Sequence, residues 1–377
     1  MKKKLLYVVN VDWFFISHRL PLAIEAINQG YEVHIATHLS NHKEQLEEAG
    51  LIVHNLPISR SSLSVFSLFS FFLKLKKIFQ HLKPDIVHLV TIKPVLVGGI
   101  AARLFKVPAV VSAISGLGYI FLDQGILALI RRSIVQFLYR LALAHKNIIV
   151  IFQNEDDKKI ITSYTKLSDK NISLIGGSGA NINTFYYEQP STKNLIALLP
   201  ARLLKDKGIL EFVEAARILK VRNVKVTFVL AGNIDYDNPS SISKKDLDSW
   251  ISEGIIEYWG FRDNMCKTLA QSSIVVLPSY REGFPKVLME AAAKGRAIIT
   301  TDVPGCRDAI INNITGILVP PKNSDLLANA IQHLIEDPEK IISMGREGRD
   351  LAEKKFDEAI IIQKHLDGYE RLISNIS

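Results

Sequence analysis

Short β-rich apolar runs alternate with helical patterns along the whole chain, and that alternation narrows the folds open to it more than any other feature. Parallel strands need a long crossover between them, and helices supply it on both faces of the sheet. Two series of runs occur. The first is LLYVV from Leu5, EVHIA from Glu32, IVHLV from Ile86, AVVSA from Ala109 and NIIVI from Asn147. The second is LIALLP from Leu195, VTFVLAG from Val226, IIEYWG from Ile255, SIVVLPS from Ser273, AIITT from Ala297 and GILVP from Gly316. Between them a Gly-, Ser- and Asn-rich stretch over about 176–194 reads as a hinge. The expected fold is therefore α/β, with two Rossmann-like domains whose parallel sheets face across a cleft. The domains are placed at 1–178 and 195–355, with a terminal helical segment, 356–377, packing back on the first.

Charge separates the two halves. Residues 1–180 carry 21 Lys and Arg against 12 Asp and Glu, an excess of nine, whereas 181–377 carry 25 against 26. An anionic partner for the first half follows: nucleic acid, a membrane surface or a phosphorylated substrate. With 48% apolar and 22% charged residues in 377, disorder and collagen-like repeats are excluded. Cys266 and Cys306 suggest neither a disulfide framework nor a zinc site, which fits a reducing cytosol. Asn10 and Asp12 interrupt the apolar run at the start, so it reads as a buried strand and not as a signal peptide. No stretch approaches the roughly 20 apolar residues of a spanning helix.

The segment Pro278–Asp308 carries the chemistry. A strand ending at Leu277 enters a loop with Glu282 and Gly283, and Pro285 suits the first turn of the helix that follows. Gly283 lets a phosphate approach the backbone. The N–H groups around Phe284, Pro285, Lys286 and Val287, with the helix dipole, would hold a diphosphate. Glu282 and Glu290 would flank the ligand. A carboxylate beside phosphate is unfavourable unless it binds hydroxyls, so the ligand is read as a nucleotide sugar, with one Glu on ribose and the other on hexose. Arg202 and Lys207 follow the first strand of the second domain, where two cations can meet a leaving diphosphate. The pairs Asp235/Asp237 and Asp246/Asp248 are read as chance D-x-D spacings, so neither a metal nor a cofactor is expected.

Glu282 and Glu290 form E-x7-E around EGFP, Arg202 and Lys207 form R-x4-K-G, and YWGFRDN and GSGANINTF follow the same order as in a known pattern. The chain resembles the retaining family 4 glycosyltransferases of the GT-B fold over nearly its whole length; Asn181 stands where that family usually carries Asp. The resemblance implies a UDP-sugar donor and retention of anomeric configuration, with Glu282 on the donor hexose, Glu290 on the ribose, and Gly260, Phe261 and Arg262 beside the nucleobase. A glycosidase-like covalent intermediate on Glu282 stays open in principle, and front-face attack, in which the donor phosphate takes the acceptor proton, is favoured.

WFF-x-SHR with LPLA after the first strand, and SGLGYIF from Ser115, resemble transferases that extend polyprenyl-diphosphate glycans for O-antigen, capsule or N-glycan assembly, some of which add N-acetylgalactosamine in α1,3 linkage. By that likeness Phe15, His18, Arg19, Gly116 and Gly118 lie on the acceptor side. Acid-free stretches over 49–84 and 124–154 mix apolar runs with Lys and Arg. In the second, Arg131, Arg132, Gln136 and Arg140 phase to one side of a helix, and Leu127, Ile130, Ile134, Leu138 and Leu141 to the other. That suits an anionic membrane interface, as it would a core-facing helix. The expected location is cytoplasmic, peripheral on the inner face of the cell membrane, with no nucleic-acid partner. A UDP-N-acetylhexosamine 2-epimerase-like enzyme on the same fold, and a non-catalytic assembly scaffold, stay open as alternatives.

Overall fold

The central strands of both halves are apolar on both faces, which only a parallel sheet covered by two helical layers can use. The computed structural model describes residues 2–56, 65–117, 125–236 and 238–376. The chain divides into two units, one formed by 1–178 with 361–377 and the other by 179–360.

In the first unit β1 (Lys4–Val11), α1 (Asp12–Asn28), β2 (Glu32–His38), α2 (Lys43–Glu48) and β3 (Ile52–Asn55) come first. Then follow α3 (Val65–Leu82), β4 (Ile86–Val90), α4 (Gly99–Leu104), β5 (Ala109–Ile114), α5 (Ile126–Ala142), β6 (Ile148–Phe152), α6 (Glu155–Thr162) and β7 (Ile172–Leu174). The seven strands are parallel in the order β3-β2-β1-β4-β5-β6-β7. Alternation sorts the strand residues: Leu6, Val8, Val87 and Leu89 pack under α3, α4 and α5, while Leu5, Tyr7, Val9 and Ile86 pack on the opposite side.

The second unit runs β8 (Ile196–Pro200), α7 (Ile209–Val221), β9 (Thr227–Ala231), α8 (Lys244–Ser252), β10 (Glu257–Tyr258), α9 (Met265–Ala270) and β11 (Ile274–Leu277). It continues with α10 (Lys286–Ala293), β12 (Ala297–Thr301), β13 (Gly316–Val319), α11 (Ser324–Ile335) and α12 (Pro338–Leu351). Its sheet order, β10-β9-β8-β11-β12-β13, has the doubly wound arrangement of dinucleotide-binding domains.

The stretch read as a hinge belongs largely to the second unit, because Ala180 and Phe185 are buried in its core. Ala180 N–H donates to Phe356 O at 2.8 Å and Glu358 N–H to Ala180 O at 3.1 Å, tying the outgoing strand to the returning one. The last helix, α13 (Glu358–Ser374), places Ile361, Leu366, Tyr369 and Leu372 in the first unit's core. Strands β3 and β7 are absent from the sequence reading; both are sheet edges with part-exposed residues, so neither shows a continuous apolar run.

Leu366→Ala should cost about 2–5 kcal/mol, the usual range for a buried Leu truncation, whereas Leu326→Ala on the half-exposed side of α11 should stay within about 0.5 kcal/mol. Urea unfolding of the two variants checks both.

Candidate functional site

In an open parallel sheet the loops at the carboxyl ends of two strands whose connections leave in opposite directions splay apart and open a crevice. In the second unit those strands are β8 and β11. Their register pairs Leu198 with Val275, so Arg202 and Ser279 leave the sheet at the same level. Lys207 Nζ pairs with Glu282 Oε1, and Ser279 Oγ donates to that same oxygen at 2.7 Å. Lys207 and Glu282, far apart in sequence, are thus brought together at the sheet's switch point. Among the described residues the second oxygen of Glu282 has no hydrogen-bond partner.

Glycine makes this approach possible. Gly208 has φ +74°, and a Cβ there would lie 2.2 Å from Pro278 O. Gly305, at φ +80°, would put a Cβ 2.5 Å from Gly283 O. Glu282 N–H donates to Pro304 O at 3.2 Å and Tyr280 N–H to Asp206 O at 2.9 Å, so the acidic loop is held from both sides. Ser279, Asp206 and Pro304 support the pair but carry no sequence signal of their own, because their part is played by local bonds.

Pro285 caps α10 without a side-chain bond, and Leu288 N–H turns back to donate to Pro285 O at 3.1 Å. Phe284 packs edge-on against Phe356 with centroids 5.5 Å apart, which fixes the entry into the helix. Glu290 lies one turn along and is buried; Lys286 Nζ stands 3.6 Å from it. Burial pushes the Glu290 carboxyl up to about 7, against the opposing pull of Lys286, and Glu358 adds to the rise. Asn181 accepts the N–H groups of Asn183 at 3.1 Å and Thr184 at 2.9 Å, and its amide donates to Glu358 at 3.4 Å. Its side chain therefore shapes the turn. Val287 sits in the same first turn, half-buried against the core.

Gly260 closes onto β9 through Gly232 N–H, which donates to Gly260 O at 2.9 Å. Phe261 is 61% exposed, and the Arg262 guanidinium lies 5.3 Å over the Trp259 ring. Arg202 pairs with Asp235 at 2.5 Å, so one acid of the first D-x-D meets a cation; Asp237 lies outside the described residues. In the second D-x-D, Asp246 accepts from Ser243 and Asp248 pairs with Lys244 at 2.8 Å, ordinary local partners of α8. Among the described residues no three His, Cys, Asp or Glu side chains gather as a metal site.

The first unit has its own switch point between β1 and β4. Val8 pairs with Leu89 and Val90 with Ala113, which brings Asn10, Thr91 and Ile114 to one level. Asn10 Oδ1, Thr91 Oγ1 and Ser115 Oγ are buried there without a hydrogen-bond partner on those atoms, and Thr91 takes φ +74°. Lys93 follows, its ammonium pushed below the usual lysine range by burial. None of these four was among the expected site residues; isolated polar residues at strand ends have no spacing to betray them.

Two of the expected acceptor-side residues are buried in the fold. Phe15 is fully buried and meets Tyr7 edge-on at 5.2 Å, because its position on α1 faces the sheet. Arg19, one turn further, is 2% exposed and donates to His18 O at 2.9 Å. His18 stacks on Phe14 at 4.2 Å and stays half-buried. Gly116 has φ +103°, and Gly118 lies outside the described residues.

The phasing of α5 also shifts. Leu129, Ile130, Ile134 and Phe137 are exposed, whereas Leu138, with Val135, packs on the core; Arg140 Nε donates to Tyr164 O at 2.7 Å. The side chain of Leu127 lies outside the described residues. On α3 Phe66, Phe69 and Leu73 are exposed while Phe71, Leu75 and Phe79 are buried. Both helices cover the same face of the sheet, so it carries a broad apolar surface set among Lys and Arg. No described helix is long and apolar enough to cross a membrane.

Two family models match, "Glycosyl transferase 4-like" over residues 4–154 and "Glycosyl transferases group 1" over 185–351. Among curated proteins, an N,N'-diacetylbacillosaminyl-diphospho-undecaprenol alpha-1,3-N-acetylgalactosaminyltransferase of Campylobacter jejuni is 32% identical, covering 96% of this chain and 99% of its own. The capsular polysaccharide biosynthesis glycosyltransferase CapM of Staphylococcus aureus is 28% identical over 88% of this chain and 87% of its own. Among solved structures, HepE of Anabaena in complex with UDP superposes with a TM-score of 0.75 at 19% identity, covering 98% of this chain and all of that one. Both units have the doubly wound sheets of the GT-B fold, and the chain belongs to the group 1, family 4-like glycosyltransferases.

Proposed function

We propose that the protein transfers N-acetylhexosamine, specifically N-acetylgalactosamine in α1,3 linkage, from a UDP-sugar to a polyprenyl-diphosphate-linked glycan, with retention of configuration. The observation that carries the reading is the joining of Lys207, Glu282 and Ser279 at the switch point, directly before the N-terminus of α10. The names of the Campylobacter and Staphylococcus relatives support the substrate class, and the UDP complex of the Anabaena protein supports the nucleotide.

In this reading the diphosphate sits on the α10 N–H groups, and Lys207 and Arg202 neutralise the charge that develops as the glycosidic bond breaks. Glu282 then offers its second oxygen to a hexose hydroxyl. Anchored by Lys207 and Ser279, it is a poor nucleophile, which favours front-face attack over a covalent glycosyl-enzyme. Glu290 accepts from the ribose, and Gly260 to Arg262 border the base. No metal enters the mechanism. In the first unit Asn10, Thr91, Lys93 and Ser115 would receive the acceptor. The apolar faces of α3 and α5, with the lysines and arginines around them, would seat the first unit on the inner face of an anionic membrane.

Glu282→Ala and Lys207→Ala should each lower transfer at least about 100-fold with unchanged circular dichroism. Near-normal turnover by either purified variant rejects the assignment. Product formation should require the lipid-linked acceptor, which an epimerase would not, and EDTA should leave the rate unchanged; a loss restored by Mn²⁺ would bring the D-x-D acids back.

The donor KM should rise as pH falls from 8 to 6, because only the ionised Glu290 accepts two hydroxyl donors and its carboxyl titrates near 7. Glu290→Gln should raise KM at pH 8 and flatten that dependence. Ile134→Glu with Phe69→Glu, both at exposed positions, should weaken sedimentation with anionic liposomes and reduce activity on a long-chain acceptor more than on a short-chain analogue. Equal loss on both acceptors counts against membrane seating.

A further inference from the structure

A phenol carries its hydroxyl donor at the end of a rigid, flat side chain, so a tyrosine can fix a loop to a point well away from its own backbone. Tyr280 stands two residues before Glu282, in the loop that leaves β11. Its N–H donates to Asp206 O, next to Lys207, at 2.9 Å, and its hydroxyl donates to Glu211 Oε1 at 2.7 Å. Glu211 lies in the first turn of α7. The backbone bond alone would let the loop pivot about Asp206. The second attachment, at the far end of the ring, stops that rotation.

The anchor on the other side is stiff. Lys207 closes the turn Lys205–Lys207, Gly208 follows with φ +74°, and α7 starts at Ile209. Ile209 and Phe212, before and after Glu211, are fully buried in the second unit's core. Lys207 and Glu211 therefore belong to one rigid piece, and Tyr280 holds that piece at two points.

The contact is more polar than stability requires. Glu211 Oε2 is buried with no hydrogen-bond partner, so among the described residues the Tyr280 hydroxyl is the donor that satisfies this carboxylate. Burying an acid with so few partners is unfavourable, and an apolar pair would join the two elements at least as firmly. What the polar pair adds is a fixed distance and direction. Lys322 Nζ lies over the ring, 4.8 Å from its centroid, and holds its plane. Burial, with the Glu211 and Asp206 carboxylates beside it, pushes the phenol above the usual tyrosine range, so the proton stays on the hydroxyl and the bond is present at neutral pH.

We infer that Tyr280 is a positioning residue for transfer, its bond to Glu211 setting where Glu282 stands relative to Lys207. The inference rests on the reading that this pair meets the donor.

Tyr280→Phe removes the hydroxyl and keeps the ring. In its crystal structure the Glu282 carboxylate should be displaced from Lys207 by about 1 Å or more, and kcat should fall about tenfold or more. UDP affinity, read by isothermal titration, should be unchanged, because the α10 N-terminus and Glu290 are untouched. Glu211→Ala should behave alike, and the double variant should lose no more than either single one, since all three remove one bond. Glu211→Gln, whose amide oxygen still accepts the weaker neutral bond, should keep at least about a third of the normal kcat. A Lys207–Glu282 pair unmoved in Tyr280→Phe, losses that multiply in the double variant, or UDP binding lost together with kcat overturns the inference and leaves the transferase reading intact. A displaced pair with kcat unchanged overturns the reading on which it rests.

Discussion

A parallel sheet buried on both faces sends every strand's carboxyl end to the same edge, and the rest of this molecule depends on that constraint. Once helices cross on both sides, the loops that follow β8 and β11 must leave together, and so must those that follow β1 and β4. Lys207 meets Glu282 because topology makes neighbours of two loops whose sequences are 75 residues apart. The buried polar atoms of Asn10, Thr91 and Ser115 collect at the corresponding edge of the first unit for the same reason.

Much of this was legible without coordinates. The central strands announce themselves as unbroken apolar runs because both their faces are covered; β4, β5 and β6 are buried at every position. The edges β3 and β7 escaped because an edge strand keeps one side in solvent and loses that signal. The loop pair that joins Lys207 to Glu282 in the second unit was equally readable, since E-x7-E and R-x4-K-G lie at fixed offsets from strand ends. Its mirror in the first unit was not. Phe15 and Arg19 drew notice as part of a motif, yet their helical phase turns them to the sheet, and the polar groups at the strand ends are lone residues in ordinary contexts.

Charge behaves differently in the two units. In the second, nearly every cation near the switch point has an acidic neighbour: Arg202 with Asp235, Lys207 with Glu282, Lys286 with Glu290. In the first, Arg19 is buried with tyrosines and histidines about it and no carboxylate among the described residues. A buried ion without a counter-ion is costly. The positive excess counted in the sequence is therefore partly interior, and an anion reaching that unit would meet a field from inside as well as from its surface lysines.

The two glycines that fix the acidic loop divide the second unit's crevice into parts with unequal freedom to evolve. Gly208 and Gly305 press backbone against backbone, so any side chain at either position displaces the loops that carry Lys207 and Glu282. At Gly260 a φ of +66° still favours glycine although a Cβ would meet nothing within 4 Å, whereas the neighbouring Phe261 is exposed. Sequence drift can therefore rework the rim at 261 and 262 while the loops joined at the switch point stay put. A lineage built on this unit would diversify in the side chains of its rim long before it could alter how the Lys207–Glu282 pair is presented.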